Sequence, residues 1–103
     1  MLTSNHFSDK DGNPAGGTTY GNGFAIGWQN GPLGRDGGRI EPNGAFVEDI
    51  IKAAFDRLEY YQQSRFACQY NADALNHLDI ALARLIQRTT DREARKVEGT
   101  HEV

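Results

Sequence analysis

The sequence has a single cysteine, Cys68, which excludes an intramolecular disulfide framework and a cysteine-rich zinc site. No run approaches the ~18 consecutive apolar residues of a membrane-spanning helix, so a membrane partner is not expected. The opening residues, Met1 to His6, carry neither a basic n-region nor an apolar h-region. A secretory signal is therefore not expected, and a cytosolic life is. Serines are limited to Ser4, Ser8 and Ser64, with no nucleophile elbow and no spacing for a triad. His6, His77 and His101 lie far apart without ligand-spaced neighbours, so neither catalysis nor a metal site is expected. Eleven Lys and Arg against fourteen Asp and Glu leave a net charge of −3, which argues against binding to duplex nucleic acid.

Glycine and proline are missing from one part of the chain and crowded into another. Between residues 45 and 98 there is neither, while eleven of the twelve glycines and all three prolines lie in the first 44 residues. The first part is suited to turns and the second to uninterrupted helix. At 103 residues the chain holds one small domain. With 38% apolar residues its core must be thin, so copies of the chain are expected to pack together.

Residues 1–16 are polar and end in turn signals, and read as an irregular arm. Residues 17–41 read as a β-hairpin and a Gly-rich loop. Phe24, Ile26 and Trp28 alternate with Ala25, Gly27 and Gln29, the pattern of a half-buried strand. Thr18 to Tyr20 supply its partner, with Asn22-Gly23 at the bend. Phe24 and Trp28 are expected in a core between hairpin and helices. Residues 43–69 form the first helix, capped by Asn43, with an apolar stripe of Val47, Ile50, Ile51, Ala54, Leu58 and Tyr61. The turn falls at Asn71-Ala72-Asp73. The second helix spans 71–97, with Ala74, Leu75, Leu78, Ala81, Leu82, Leu85 and Ile86 on its apolar side, and 98–103 form a tail. The fold class is α+β: a small antiparallel sheet docked on a long αα-hairpin, in an oligomer.

Two groups of basic residues stand out. Arg84, Arg88, Arg92 and Arg95 fall within an arc of roughly 80° beside the apolar stripe of the second helix. Such a row reads either as a solvated face with intrahelical pairs or as an anion site, because the guanidinium fork matches phosphate. Arg35 and Arg39 are the basic side chains of the Gly-rich loop, where backbone can approach a ligand closely. Phe66, near the end of the first helix, reads either as a stacking platform or as packing at the hairpin tip.

The runs Gly23-Phe24-Ala25-Ile26-Gly27-Trp28-Gln29-Asn30-Gly31-Pro32-Leu33-Gly34-Arg35 and Pro42-Asn43-Gly44-Ala45-Phe46-Val47-Glu48-Asp49 resemble the phage anti-Thoeris sponge family. Ala74-Leu75-Asn76-His77-Leu78, Arg88-Thr89-Thr90-Asp91-Arg92 and the closing Arg95-Lys96-Val97-Glu98-Gly99-Thr100-His101 agree with it. Lys96 stands where that family's pattern carries Gly. The helical hairpin alone is also similar to the phage anti-CBASS sponges.

The resemblance implies a non-enzymatic protein, without a cofactor, that captures an immune second messenger in the cytoplasm of the infected bacterium. The implied ligands are cyclic ADP-ribose isomers, and in some members cyclic di- or trinucleotides at separate pockets. The implied assembly is a homo-oligomer, a dimer or a trimer of dimers. On this resemblance Phe66 stacks on adenine, Asn76 reads a base edge or ribose hydroxyl, and Arg35, Arg39, Arg88, Arg92 and Arg95 serve the pyrophosphate. Two other classes stand beside it: a ring-opening enzyme, disfavoured because no acid–base or nucleophile constellation is visible, and a non-nucleotide helical module that binds a protein, supported only by the generic helical hairpin.

Overall fold

A computed structural model describes all 103 residues, and it is α+β: three strands, a single 3-10 turn and two helices. The chain divides into two compact units, residues 1–46 with 93–103, and residues 47–92. No helix is long and apolar enough to cross a membrane.

The first unit is built on a sheet of order β1-β2-β3, antiparallel throughout, with β1 at Leu2–Ser8, β2 at Pro14–Gly21 and β3 at Phe24–Asn30. The β2–β3 hairpin turns through Asn22 and Gly23, as its sequence predicts. The expected irregular arm is instead largely β1, which pairs with β2 from Leu2 opposite Gly21 to Ser8 opposite Pro14. Every residue of β1 is exposed, so this strand forms by backbone pairing rather than by burying a face. The Asp9 carboxylate closes the β1–β2 turn, accepting hydrogen bonds from the backbone amides of Asp11 and Asn13, each at 2.9 Å.

The one buried side chain of the molecule is polar. Thr19 accepts a hydrogen bond from the Trp28 indole at 2.9 Å and shares another with the Ser4 hydroxyl at 2.9 Å, tying the three strands together on one face. Trp28 is half-buried there, whereas Phe24 is 45% exposed and is not the core residue its alternation predicts.

After the loop the chain returns to β3. Ala45 forms a parallel bridge with Trp28, donating to the Gly27 carbonyl at 2.7 Å and accepting from the Gln29 amide at 3.0 Å. Asn43 accepts from the Asn30 amide at 2.8 Å and donates back to the Asn30 carbonyl at 3.0 Å. The Asn43 side chain is therefore bound to the sheet, and α1 begins only at Val47, four residues beyond the expected start.

The second unit is an αα-hairpin of α1 (Val47–Gln62) and α2, which spans Gln69–Ala94 and so runs into the first unit at its end. In α1 the half-buried positions include Ile50, Ile51, Phe55, Leu58 and Gln62; in α2 they include Ala74, Leu75, Leu78, Ala81, Leu82, Leu85 and Thr89. These follow a 3.6-residue period along one side of each helix. Of the apolar stripes expected from the sequence, Val47, Ala54 and Tyr61 on α1 and Ile86 on α2 are exposed. No apolar side chain in the molecule is fully buried.

Helix α2 ends as a left-handed cap requires. Lys96 has φ 60 and donates its amide to the Glu93 carbonyl at 3.0 Å. This is the position where the resembled family carries Gly, which adopts such a φ without steric cost. The helix thus stops short of the expected residue 97.

Candidate functional site

The turn between the helices is fixed by side chains that bond to backbone. Gln62, the last residue of α1, accepts from the Cys68 amide at 3.0 Å and donates to the Cys68 carbonyl at 3.1 Å. Ser64 donates its hydroxyl to the Tyr61 carbonyl at 2.6 Å and accepts from the Phe66 amide at 3.1 Å. Asn71 donates to the Phe66 carbonyl at 3.3 Å. The turn therefore occupies residues 63–68, and the expected turn residues Asn71, Ala72 and Asp73 already belong to α2.

This bonding presents Phe66 outward, 65% exposed, with its backbone held on both sides. The Arg65 guanidinium lies 4.8 Å from the centre of its ring, within cation–π range. Asn76 stands on the second turn of α2, exposed, with a carboxamide that makes no hydrogen bond within the chain. Phe66 and Asn76 thus share one end of the helical unit. Tyr70, 86% exposed, is at the same end.

The basic residues are differently placed. Arg88 is ion-paired with Glu48 at 3.6 Å, near the other end of the hairpin. One oxygen of Glu48 is buried without a hydrogen-bond partner, since that separation is too long for one. Arg92 is half-buried and has an interaction partner within the chain. At a rise of 1.5 Å per residue, Asn76 and Arg88 are about 18 Å apart along α2, and Asn76 and Arg92 about 24 Å. A single chain does not bring Phe66 and Asn76 to the same small ligand as Arg88 and Arg92. The row reads partly as structural: Arg84 donates to Gln87 at 3.1 Å, and Arg88 holds Glu48.

Arg35, Arg39 and Arg95 belong to the first unit. Arg39 bridges to Glu98 at 2.7 Å, and its pKa is raised by that hydrogen bond and by the carboxylate's charge. Arg35 donates to the Glu98 carbonyl at 3.0 Å, and the Gly34 amide donates to the Gly99 carbonyl at 2.8 Å. These contacts clasp the Gly-rich loop to the turn after α2. Arg95 donates to the Val103 carbonyl at 3.3 Å. The two arginines of this loop, expected from the sequence to serve a ligand's pyrophosphate, hold it to the C-terminal turn within the chain. Arg65 and Tyr70 are not among the residues singled out from the sequence. The signal for both was there, a cation and an aromatic flanking Phe66 where the helix period breaks.

The sequence profile described as the Acb2/Tad1 hairpin domain matches residues 21–90, which take in β3, α1 and most of α2. A curated relative, Thoeris anti-defense 1 of Bacillus phage SBSphiJ7, is 44% identical over 77 residues. The match covers 75% of this chain and 51% of the relative, so the chain spans about half the length of the curated relative it matches. β1 lies outside the profile's match, whereas the turn that presents Phe66, and Asn76 beyond it, lie inside. By that match and that identity, the chain belongs to the Acb2/Tad1 hairpin family.

Proposed function

We propose that this protein is a phage anti-defence sponge that binds a cyclic ADP-ribose isomer and holds it intact, in the cytoplasm of the infected bacterium. Capture removes the activator of an immune effector without cutting a bond. The observation that carries the reading is the exposed Phe66 ring on a turn locked by Gln62, Ser64 and Asn71, with the unengaged Asn76 carboxamide in the same unit. A preorganised aromatic face suits an adenine base, and a free amide suits a base edge or ribose hydroxyl. Little ordering is then left to oppose binding.

The ligand's pyrophosphate requires cations as well. The separation along α2 means that Arg88 and Arg92 would reach a ligand on Phe66 only from a second copy of the chain. The uncovered apolar residues Val47, Tyr61, Ile80 and Ile86 support such an assembly, a dimer or a trimer of dimers, since no apolar side chain is buried in one chain. Capture must outcompete the effector's own site. A few charge-assisted hydrogen bonds, each contributing roughly 1.5–3 kcal/mol, reach the submicromolar range together with stacking.

The test is calorimetry with purified protein and a panel containing a glycosidically cyclised ADP-ribose isomer, linear ADP-ribose and cyclic di- and trinucleotides. The reading expects submicromolar binding of the cyclic isomer. Heat from the cyclic di- or trinucleotides alone would move the function to another messenger, and no heat from any of them would favour a protein-binding module.

A further inference from the structure

Eight arginines are present, and two of them, Arg57 and Arg65, make no ion pair but lie against aromatic rings. Glu98 holds Arg35 and Arg39, Gln87 holds Arg84 and Glu48 pairs with Arg88, while Arg92 and Arg95 also have partners. Arg57 lies against both the Tyr60 and Tyr61 rings, whereas Arg65 lies against the exposed Phe66 ring alone. Its guanidinium makes no hydrogen bond and no ion pair, and its only contact of note is with the Phe66 ring at 4.8 Å. Every N–H donor of its planar fork is unfilled. It also sits on the turn that is locked by side-chain bonds to backbone.

An unfilled guanidinium already laid on an exposed aromatic ring satisfies the two halves of a nucleotide together. The 65% exposed ring offers its remaining surface to a base, and the fork beside it is placed for the phosphate attached through that base's ribose. The geometry points to Arg65 as the anion-binding residue that the same chain supplies next to Phe66, taking a phosphate of an adenine nucleotide whose base stacks on that ring. This rests on the function proposed above and assigns one contact within it. Arg65 does so without a second copy, whereas Arg88 and Arg92 would need one. The cation also withdraws electron density from the ring it covers, which strengthens stacking against an electron-rich purine.

The experiment compares the full chain with Arg65→Ala, Arg65→Lys and Phe66→Leu by calorimetry. The titrants are a glycosidically cyclised ADP-ribose isomer, ADP and adenosine. Arg65→Ala is expected to weaken the cyclic isomer and ADP by about tenfold or more, the loss of one charge-assisted contact, while adenosine changes far less. Arg65→Lys should recover only part of the loss, because an ammonium lacks the flat fork. Phe66→Leu should weaken adenosine and nucleotide alike. Circular dichroism establishes that each variant keeps its helices. Equal affinities of wild type and Arg65→Ala for both nucleotides would overturn the assignment. An equal loss for adenosine and nucleotide would overturn it too, since Arg65 would then only support the ring. If wild type binds ADP but not the cyclic isomer, the sponge reading falls and Arg65 is still decided by the ADP comparison. Wild type that binds none of the three overturns both.

Discussion

Gly99→Ala is the perturbation whose consequence follows most directly from the clasp. Gly99 has φ 79, and a methyl built on it would overlap the Gly34 carbonyl oxygen and lie 3.0 Å from the carbonyl carbon. The left-handed conformation costs an alanine roughly 1–2 kcal/mol, and overpacking adds roughly 1–3 kcal/mol, giving about 2–5 kcal/mol. Opposing this are the bond from Gly34 to Gly99, the bond from Arg35 to Glu98 and the half-exposed Arg39–Glu98 bridge. Two hydrogen bonds at roughly 0.5–1.5 kcal/mol each amount to about 1–3 kcal/mol, and the surface ion pair adds little. The two totals overlap, so the clasp should open while the sheet and α2 persist. Amide hydrogen exchange by NMR measures it: exchange at Gly34 should rise by at least about tenfold in the variant, with β2–β3 amides unchanged. Gly37→Ala is the control, because a methyl there meets nothing within 4 Å. Unchanged protection at Gly34 in Gly99→Ala would refute the reasoning.

Three further outcomes follow from the same geometry. Lys96→Gly should raise stability by about 1 kcal/mol, because it relieves a left-handed lysine at φ 60; a thermal melt showing no gain contradicts the cap. Asp9 has a pKa lowered first by its hydrogen bond to the Asn13 amide, so its contribution is complete above the ordinary carboxylate value of 3.8 and is lost as pH falls through the lower folded value. The Asp11 and Asn13 amide resonances should therefore stay fixed above pH 4 and shift only in more acidic solution; movement through the neutral range contradicts this. Leu82→Ala should destabilise by about 2–5 kcal/mol where a second copy seals the hairpin, with the loss varying with protein concentration. A loss below about 0.5 kcal/mol at every concentration would rule out burial of that face.

The helices were legible because glycine and proline are absent where they run, and a 3.6-residue pattern needs no distant partner to be seen. Their ends were not legible. Asn43 reads as a helix cap, but its carboxamide is taken by Asn30, thirteen residues earlier and on another element. β1 carries no alternating pattern because neither of its faces is covered, so only the pairing register reveals it. In the candidate site, Phe66 and Asn76 came through a family resemblance, and the structure leaves both exposed and available. The arginines were legible as cations but not as partners. Glu98 and Glu48, which engage Arg39 and Arg88, lie 59 and 40 residues away along the chain, beyond any local spacing rule.

The central claim, capture of a messenger without chemistry, is tested most directly by incubating the protein with excess glycosidically cyclised ADP-ribose isomer, separating bound from free, and heating the bound fraction. Mass spectrometry and chromatography of the released material should return the intact cyclic isomer, in an amount that stays stoichiometric with protein however long the incubation. Release of a linear product, or loss of ligand beyond the protein present, would contradict the account.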